Sequence, residues 1–341
     1  MESDPPASAA VSVLGHPGYA GRRVLITGGM GFIGSNLAHR LVGLGAEVTV
    51  VDHLHPNYGG NWANLAGVED RVRVCLGDAC EEAWMHSVVA GQDFVFNLAG
   101  QTSHLDSLHD PGRDLRMNCG APLAVLEAVR KEAPGAKVVF ASTRQIYGRP
   151  RYLPVDEEHP LSPVDVNGIH KLAGEHYHLL YHQIYGVRAC ALRLTNTYGP
   201  RMRVKDARQT FLGVWIRAAL EGKPVEVWGG RQLRDFTFGE DCVEALLSAG
   251  GNGRAEGRIY NLGGLEVVSL ADLAQMLAEV VGGARVECRE FPPERQRIDI
   301  GDYCADWSRV REELGWEPRV ALRAGLEATV GYYRERLGEY V

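Results

Sequence analysis

The first half of the chain consists of short apolar runs that alternate with segments of helical periodicity. The first run, Val24–Ile26, precedes a cluster of glycines and an amphipathic segment over Asn36–Leu44. Later runs at Glu47–Val51, Asp93–Leu98 and Val138–Thr143 have the length and the Val and Phe content of buried strands. Strand-like runs separated by single helices predict a parallel sheet covered on both faces, which is a doubly wound α/β fold.

The rest of the chain continues this alternation and becomes less regular after residue 195. The polar segment Thr102–Ser107 is predicted to be a loop. Further strands are expected at Arg71–Leu76, Val187–Leu194, Val225–Trp228, Arg234–Phe238 and Ile259–Gly263. Further helices are expected at Glu81–Ala90, Asp114–Ala133, Gly168–Tyr185, Phe211–Leu220, Glu240–Ala249, Ser269–Val281, Asp306–Leu314 and Leu322–Leu337.

The turn after the first apolar run carries glycines at positions 28, 31 and 34. Glycines at this spacing permit a tight turn, close approach of the backbone to a phosphate, and close packing of helix on strand. Because the N–H groups that open the next helix are unpaired, the turn predicts a pyrophosphate site. Asp52 ends the second strand, where an acid suits the hydroxyls of an adenosine ribose. Its charge would repel a 2′-phosphate, so we expect NAD rather than NADP.

Two further strand ends carry candidate cofactor contacts. Asp78 follows the strand that ends at Leu76, where its carboxylate suits the adenine amino group or, equally, the N-terminus of the next helix. The small residues Ala99 and Gly100 follow the strand that ends at Leu98, and they suit close approach to a cofactor.

Charge and hydropathy exclude several classes of partner. The 341 residues carry a net charge of -7 with 45% hydrophobic and 23% charged residues, which is ordinary for a globular protein. A net negative charge does not favour binding to nucleic acid or to an anionic membrane surface. No apolar run approaches the roughly 20 residues of a membrane span.

Residues 1–20 are rich in Ala, Ser and Pro and lack the basic start and apolar core of a secretory signal. We expect a flexible leader over residues 1–20 that docks near Gly15–Ala20. The seven cysteines are scattered, and the twelve histidines fall into none of the common metal-ligand spacings. We therefore expect reduced thiols, no bound metal and a cytoplasmic location.

Ordered motifs from about Gly21 to Tyr333 resemble the extended short-chain dehydrogenase/reductase family, specifically its nucleotide-sugar epimerases, dehydratases and decarboxylases. The motifs are Thr27-Gly28-x-x-Gly31-x-x-Gly34, Asp52, Gly77-Asp78, Asn97-Leu98-Ala99, Asn118, Ser142-Thr143-x-x-Ile146-Tyr147-Gly148, Gly168-x-x-Lys171-x-x-x-Glu175, Arg193-x-x-Asn196-x-Tyr198-Gly199-Pro200, Arg234-Asp235-Phe236 and Leu314-Gly315-Trp316-x-Pro318.

The resemblance implies a Rossmann-type NAD domain over residues 21–195, to which parts of 235–262 return. It also implies a smaller C-terminal α/β domain over residues 196–341 that mainly binds the nucleotide sugar, linked to UDP, CDP, GDP or dTDP. A homodimer through the two long helices over 114–133 and 168–185 is expected. The implied NAD site comprises Gly28, Met30, Gly31, Phe32, Ile33, Gly34, Asp52, Asp78, Ala79, Leu98, Ala99, Gly100 and Lys171.

The family resemblance also implies hydride transfer from a sugar carbon to NAD, with a Tyr that takes the hydroxyl proton. Lys171 and Thr143 match the Lys and the Ser/Thr that assist that Tyr, but the Tyr position itself is Asn167. Because Asn has no titratable proton, it cannot be the base.

Three explanations remain open for the missing tyrosine. Another group is the base, with His170 on the same helix face or His104 in the sugar-facing loop as first candidates. Weaker candidates are Tyr147, Asp165 and a neutral Lys171. Alternatively, the protein has lost redox chemistry and is a sensor, or its substrate needs no strong base and Asn167 acts as a hydrogen-bond partner.

The two residues after Thr143 help to distinguish between the reactions that the resemblance implies. The 4,6-dehydratases that the chain resembles carry Asp-Glu there, and glucuronate decarboxylases carry Glu at the second position, whereas this chain has Arg144 and Gln145. A 4-epimerase needs neither carboxylate and is therefore favoured by elimination, with a decarboxylase as the alternative. Gly100 followed by Gln101 is also similar to 2-epimerases that act on a CDP-sugar.

The resemblance also implies cations for the diphosphate, since arginine forks suit phosphate. Arg234 and Arg297 approximately match family positions, and Arg201 is nearby in sequence. Asn196 matches an Asn that bonds the diphosphate or sugar. Arg144, a cation beside the reaction centre, suggests an acidic sugar such as a uronate or a structural ion pair.

Overall fold

The computed structural model describes residues 18–293 and 297–341. Its centre is a seven-stranded sheet in which neighbouring strands run parallel. The strands are β1 (Arg23–Thr27), β2 (Glu47–Asp52), β3 (Val72–Leu76), β4 (Phe94–Asn97), β5 (Lys137–Thr143), β6 (Arg188–Leu194) and β10 (Ile259–Asn261). Their order, β10-β6-β5-β4-β1-β2-β3, confirms the predicted doubly wound sheet.

Helices cover both faces of this sheet. Those around the sheet are α1 (Phe32–Gly43), α2 (Glu82–Val89), α3 (His104–His109), α4 (Pro111–Leu115), α5 (Ala121–Glu132), α6 (Val166–Tyr185) and α8 (Gly239–Gly251). Side chains of β1 alternate between two cores: Val24 and Ile26 pack with α1 and α8, while Leu25 packs with α2 and α5. This alternation explains why the middle of the strand, Val24–Ile26, is apolar without interruption, since both of its faces are buried.

The C-terminal half builds a second, smaller layer. Its elements are β7 (Asn196–Tyr198), α7 (Phe211–Leu220), β8 (Val225–Trp228), β9 (Leu233–Phe238), β11 (Val267–Ser269), α9 (Leu270–Val281), β12 (Val286–Arg289), α10 (Ser308–Leu314) and α11 (Leu322–Arg336). Strand β9 lies between β7 and β11, and β8 pairs with β12. Leu212, Leu273 and Leu326 meet in one apolar core of this layer. Between β9 and β11 the chain returns through α8 and β10 to the edge of the main sheet.

Several long elements begin and end at residues that explain their limits. The side chain of Asp165 accepts a hydrogen bond from the backbone N–H of Gly168 at 2.7 Å and so caps α6. Gly186, with φ of 70°, ends that helix. Ser269 caps α9 in the same way, and Gly282 ends it at φ of 102°. The predicted helix over Phe211–Leu220 is confirmed with both of its limits.

The structure differs from the prediction around residues 102–133. The predicted loop contains the start of helix α3, which the Ser103 hydroxyl caps by accepting from the N–H of Asp106 at 3.2 Å. A six-residue helix is too short to show periodicity in sequence. The next predicted helix starts earlier, at Pro111, and contains a π-helical turn over Arg116–Gly120.

Tyr19 lies within the predicted leader, yet it is fully buried, and its hydroxyl donates to the carbonyl of Leu247 at 2.9 Å. Its ring also contacts Phe94, with 4.7 Å between ring centroids. This burial agrees with the predicted docking of the leader near Gly15–Ala20, because a large aromatic side chain gains more from the core than from solvent. Residues 1–17 of the leader lie outside the described residues.

Candidate active site

A single cleft of about 1070 Å³ lies at the carboxyl ends of the main-sheet strands, between the sheet and the second layer. The ends of β1, β2, β4 and β5 contribute Gly28, Asp52, Leu98 and Thr143 to its wall. The second layer contributes Trp215 and other side chains. Ligand sites in open parallel sheets are found at this edge, because the carboxyl ends of the strands meet there.

The glycine turn is shaped for a phosphate group. Gly28 has φ of 68°, and its N–H donates to the carbonyl of Val51 at 2.8 Å, which ties the turn to β2. Helix α1 begins after Gly31 without a side-chain cap, so the N–H groups of its first turn are open to the cleft. A Cβ on Gly34 would collide with the carbonyl oxygen of Gly28. Only glycine at position 34 permits this packing of helix on turn.

Asp52 is held rigidly beside this turn. Its carboxylate accepts from the N–H of Met30 at 3.1 Å and from the N–H of Leu54 at 2.9 Å, and the residue is 9% exposed. Asp52 lines the cleft, whereas Met30 is buried beneath it and takes part through its backbone. This is the placement that an acceptor for ribose hydroxyls requires.

Asp78 does not cap the following helix, which was one of its two predicted roles. Helix α2 starts after Glu81 without a side-chain cap. The Asp78 carboxylate instead accepts from the N–H of Cys80 at 2.9 Å and from Arg116 at 2.9 Å. Burial raises its pKa, but the hydrogen bonds from Cys80 and the charges of Arg116 and His53 together lower the pKa overall. Asp78 and Ala79 line the cleft beside Asp52.

The loop after β4 is fixed by Thr27, a role that the sequence motif did not reveal. The Thr27 hydroxyl accepts from the backbone N–H groups of Leu98 and Ala99, at 3.1 Å each. It also donates to the side-chain oxygen of Asn97 at 2.9 Å. This brings Leu98, Ala99 and Gly100 into the cleft wall.

Lys171 and Thr143 both line the cleft. Lys171 is 6% exposed, and its ammonium donates to the carbonyl of Ala141 at 2.9 Å above the ring of Phe140. Burial lowers its pKa to about 8. Thr143 ends β5, and its hydroxyl accepts from the N–H of Gln145 at 3.2 Å.

Asn167 also touches the cleft, but its side-chain amide is committed to protein partners. It donates to the carbonyl of Gln101 at 2.7 Å and to Asp114 at 3.1 Å. The buried carboxylate of Asp114 therefore ties α4 to the start of α6, a role that sequence reasoning missed because nothing in the pattern marked this acid. The amide of Asn167 positions a loop and takes no proton.

His104 lies in the cleft wall at the start of α3. Its Nδ1 is 2.8 Å from the carboxylate of Asp165, whose side chain is 1% exposed. Its Nε2 is 3.0 Å from the side-chain nitrogen of Gln145. If Nδ1–H donates to Asp165, Nε2 carries the lone pair that accepts from Gln145. Burial raises the pKa of Asp165, but the contact with His104, the N–H of Gly168 and the charge of Arg144 together lower this pKa overall.

Two other base candidates lie elsewhere. His170 is not among the residues that line the cleft, and its Nδ1 is 2.7 Å from the buried carboxylate of Asp114. His170 therefore lies on the side of α6 that faces α4, the helix that carries Asp114. The Tyr147 hydroxyl is fully buried between Asn261 and Arg193, and burial raises its pKa well above the ordinary value. Neither geometry fits a base for a cleft-bound substrate.

The predicted substrate residues divide into two groups. Arg144, Gln145, Asn196 and Arg234 line the cleft. Arg144 donates to the side-chain oxygen of Asn196 at 3.0 Å. Burial, and then the nearby charge of Arg144, lower the pKa of Arg234 to about 10.

Gln101, Arg201 and Arg297 are absent from the cleft lining in the described residues. The Gln101 side chain turns back onto the backbone of Ser103. Arg201 donates to Asn36 on α1 at 2.9 Å, and Arg297 is exposed. For Arg201, proximity in sequence to the motif did not determine the direction of the side chain.

The fold and the glycine turn define a dinucleotide-binding α/β protein with a second ligand region in the same cleft. The family model described as "NAD dependent epimerase/dehydratase family" matches residues 24–263. The chain therefore belongs to this family, and its cofactor is NAD. The extended short-chain dehydrogenase/reductase resemblance is confirmed.

Three relatives show the range of the family around this chain. A dTDP-glucose 4,6-dehydratase of Streptomyces niveus is 32% identical over 92% of this chain and 93% of its own length. The UDP-glucuronic acid decarboxylase 1 of Xenopus tropicalis is 30% identical over 93% of this chain and 73% of its own. A crystal structure of a Thermotoga maritima UDP-glucose 4-epimerase with UDP-glucose is 30% identical, has a TM-score of 0.85, and covers 92% of this chain and 99% of that one.

Proposed function

We propose that this protein is a nucleotide-sugar epimerase that transiently oxidises a sugar carbon, C4 in our proposal, with His104 as the proton acceptor. The observation that supports this best is the contact of His104 with the buried Asp165 in the cleft wall, at 2.8 Å. A carboxylate that orients an imidazole and stabilises its protonated form is a common arrangement for a general base.

The cofactor would lie along the glycine turn. The open N–H groups of α1 would contact its pyrophosphate, Asp52 its ribose, and the loop of Leu98 to Gly100 its nicotinamide half. NAD supplies the acceptor for the hydride that leaves the sugar carbon and the donor that returns it. Lys171 adds a positive charge near Thr143 and orients the bound ribose.

The chain's own residues would then handle the hydroxyl proton. The sugar hydroxyl donates to Nε2 of His104, in place of the Gln145 amide that contacts it now. The proton moves from the hydroxyl oxygen to Nε2 as the carbon–oxygen bond becomes a carbonyl, and Thr143 donates to that oxygen. Asp165 stabilises the resulting imidazolium. The same proton returns to the oxygen after the ketone has presented its other face.

The residues next to Thr143 favour epimerisation over elimination of water. Arg144 and Gln145 stand where the resemblance implies an acid and a base for dehydration, and neither exchanges protons near neutral pH. A decarboxylase is the second candidate, because the chain is 30% identical to a UDP-glucuronic acid decarboxylase and has a cation beside Thr143.

We further propose a homodimeric, cytoplasmic enzyme. All seven cysteines are free thiols, as expected in a reducing compartment. In the described residues, no helix is both long and apolar enough to cross a membrane.

A panel of UDP-, CDP-, GDP- and dTDP-linked hexoses and uronates tests this proposal. The protein is incubated with NAD and each donor, NADH absorbance is followed, and the sugar products are separated. We expect one nucleotide series to give an epimerised sugar. Tight binding of a nucleotide sugar with neither NADH nor product would contradict the proposal and favour a sensor.

Variants of two histidines locate the base. We expect His104→Ala to lower the rate about 10²- to 10⁴-fold, the usual contribution of a general base. His170→Ala is the matched control, because it removes the same side chain from a neighbouring ion pair outside the cleft lining. Equal losses in both variants would show that His104 acts through structure.

A further inference from the structure

The guanidinium of Arg144 has an unusual set of partners. Arg144 directly follows Thr143 and begins a short helical turn over Arg144–Tyr147 in the cleft wall. It donates to the side-chain oxygen of Asn196 at 3.0 Å and lies 3.4 Å from the side-chain oxygen of Gln145. Its underside lies over the ring of Tyr303, 5.2 Å from the centroid. Both oxygen partners are neutral amides.

Other arginines that line the cleft are each paired with a carboxylate. Arg203 contacts Asp206 at 2.6 Å, Arg208 contacts both Asp106 and Asp206, and Arg234 contacts Asp299 at 3.3 Å. Among the residues that the structure describes, Arg144 has no carboxylate oxygen within the 4.0 Å of an ion pair. Its charge therefore faces the cleft without a counter-ion.

A cation in this position is costly unless a ligand neutralises it. Protein surrounds Arg144 closely enough that burial lowers its pKa, and the adjacent Tyr303 and the carboxylates of Asp235, Asp299 and Asp165 act against that shift without an ion-pair contact. A guanidinium that loses water without an ion pair raises the free energy of the folded state. An anionic group of the substrate would remove this penalty and would gain charge-assisted hydrogen bonds.

Arg144 directly follows Thr143 in the cleft wall. If Thr143 contacts the oxygen on C4, Arg144 would contact a substituent on a carbon next to C4, and C5 is the one of these carbons that can carry a carboxylate. In a hexose the substituent on C5 is a neutral CH₂OH group, and in a hexuronate it is a carboxylate. We propose that the substrate sugar is a hexuronate whose carboxylate binds Arg144. This inference rests on the proposed function and narrows its substrate class.

The binding test uses the full chain with saturating NAD and isothermal titration calorimetry. The probes are two matched pairs, UDP-glucuronate with UDP-glucose and GDP-mannuronate with GDP-mannose. For the nucleotide that binds, we expect the uronate to bind about 10- to 100-fold more tightly than the hexose, as a hydrogen bond to a charged group predicts. Equal or tighter binding of the hexose overturns the proposal.

A variant assigns the effect to this residue. We expect Arg144→Gln to weaken uronate binding about 10-fold or more, while hexose binding changes little. Arg323→Gln, at an exposed ion pair on α11, is the matched control and leaves both affinities unchanged. Equal weakening of both ligands would show that Arg144 binds the diphosphate instead.

The experiments distinguish failure of the epimerase proposal from failure of the hexuronate proposal. Because the wild-type ratio of uronate to hexose affinity is measured without any variant, poor folding of Arg144→Gln does not remove the test. If uronates bind preferentially but give no epimer, the function proposal fails and this one stands. If a hexose is epimerised and uronates bind no better, the reverse holds.

Discussion

Asn167 joins the loop at Gln101 to the carboxylate of Asp114 through its side-chain nitrogen, with both contacts in the interior of the protein. A phenol at the same position would have to displace these contacts or extend past them into the cleft. Asn167 and His170 therefore share the buried carboxylate of Asp114 in one local network at the start of α6.

Lys171 makes the stability of the protein depend on alkaline pH. Its pKa is about 8 in the folded protein against 10.5 when unfolded, so the unfolded chain binds more protons between these values. Relative to Lys171→Met, the wild type should gain unfolding free energy as the pH rises from 8 to 10.5, by up to about 3 kcal/mol. Urea titrations at several pH values measure this difference.

An exposed lysine provides the comparison for that titration. Lys223 has a side chain that is 65% exposed, beside Glu221, so Lys223→Met should change the pH dependence little. A difference between wild type and Lys171→Met that stays flat from pH 8 to 10.5 would contradict the shifted pKa.

The sequence alone predicted the positions of some site residues better than those of others. Gly28 and Asp52 were predicted because a local motif determines both position and direction within one β-α-β unit. His104 and Asp165 lie far apart in sequence, and their 2.8 Å contact depends on how α3 packs against α6. Arg201 was a candidate because it is close in sequence to the motif, whereas its side chain donates to Asn36 on α1.

Helix α1 offers a test of the cofactor cradle within one element. We expect Gly34→Ala to lower NAD affinity and thermal stability, because the added methyl meets the carbonyl of Gly28. Gly43→Ala in the same helix is the matched control, since an added Cβ there has nothing within 4 Å. NAD titration and thermal unfolding measure both variants, and equal behaviour of the two would contradict the cradle.

Long helices and strands could be predicted from the sequence more reliably than short ones. Helices such as α6 and α9 carry caps and many periodic apolar residues, so the sequence indicated them clearly. The strands β7 and β11 have three residues each, too few for an alternating pattern. The π turn over Arg116–Gly120 arises from packing, and no residue in it signals an extra turn in advance.

Helices α5 and α6, through which a homodimer is predicted, carry exposed apolar side chains. Leu123 on α5 and Leu180 and Ile184 on α6 are 36%, 48% and 60% exposed. If these helices form the homodimer, Leu180→Glu combined with Ile184→Glu should yield monomers in analytical ultracentrifugation, because buried charges oppose association.

A surface leucine away from these helices is the control for association. Leu265 is 49% exposed in the loop between β10 and β11, and Leu265→Glu should leave the sedimentation profile of the wild type unchanged. A wild type that sediments as a monomer would contradict the dimer.

The return of β10 to the main sheet has a consequence for synthesis on the ribosome. Strand β6 pairs with β5 on one side and with β10 on the other, and the Tyr147 hydroxyl donates to Asn261 of β10 at 2.7 Å. The nucleotide-binding half therefore emerges with one sheet edge open, and it stays open while residues 195–258 are translated. Until β10 emerges, the nascent chain exposes the unpaired backbone groups of β6 at this edge, and an open edge of this kind can pair with another chain.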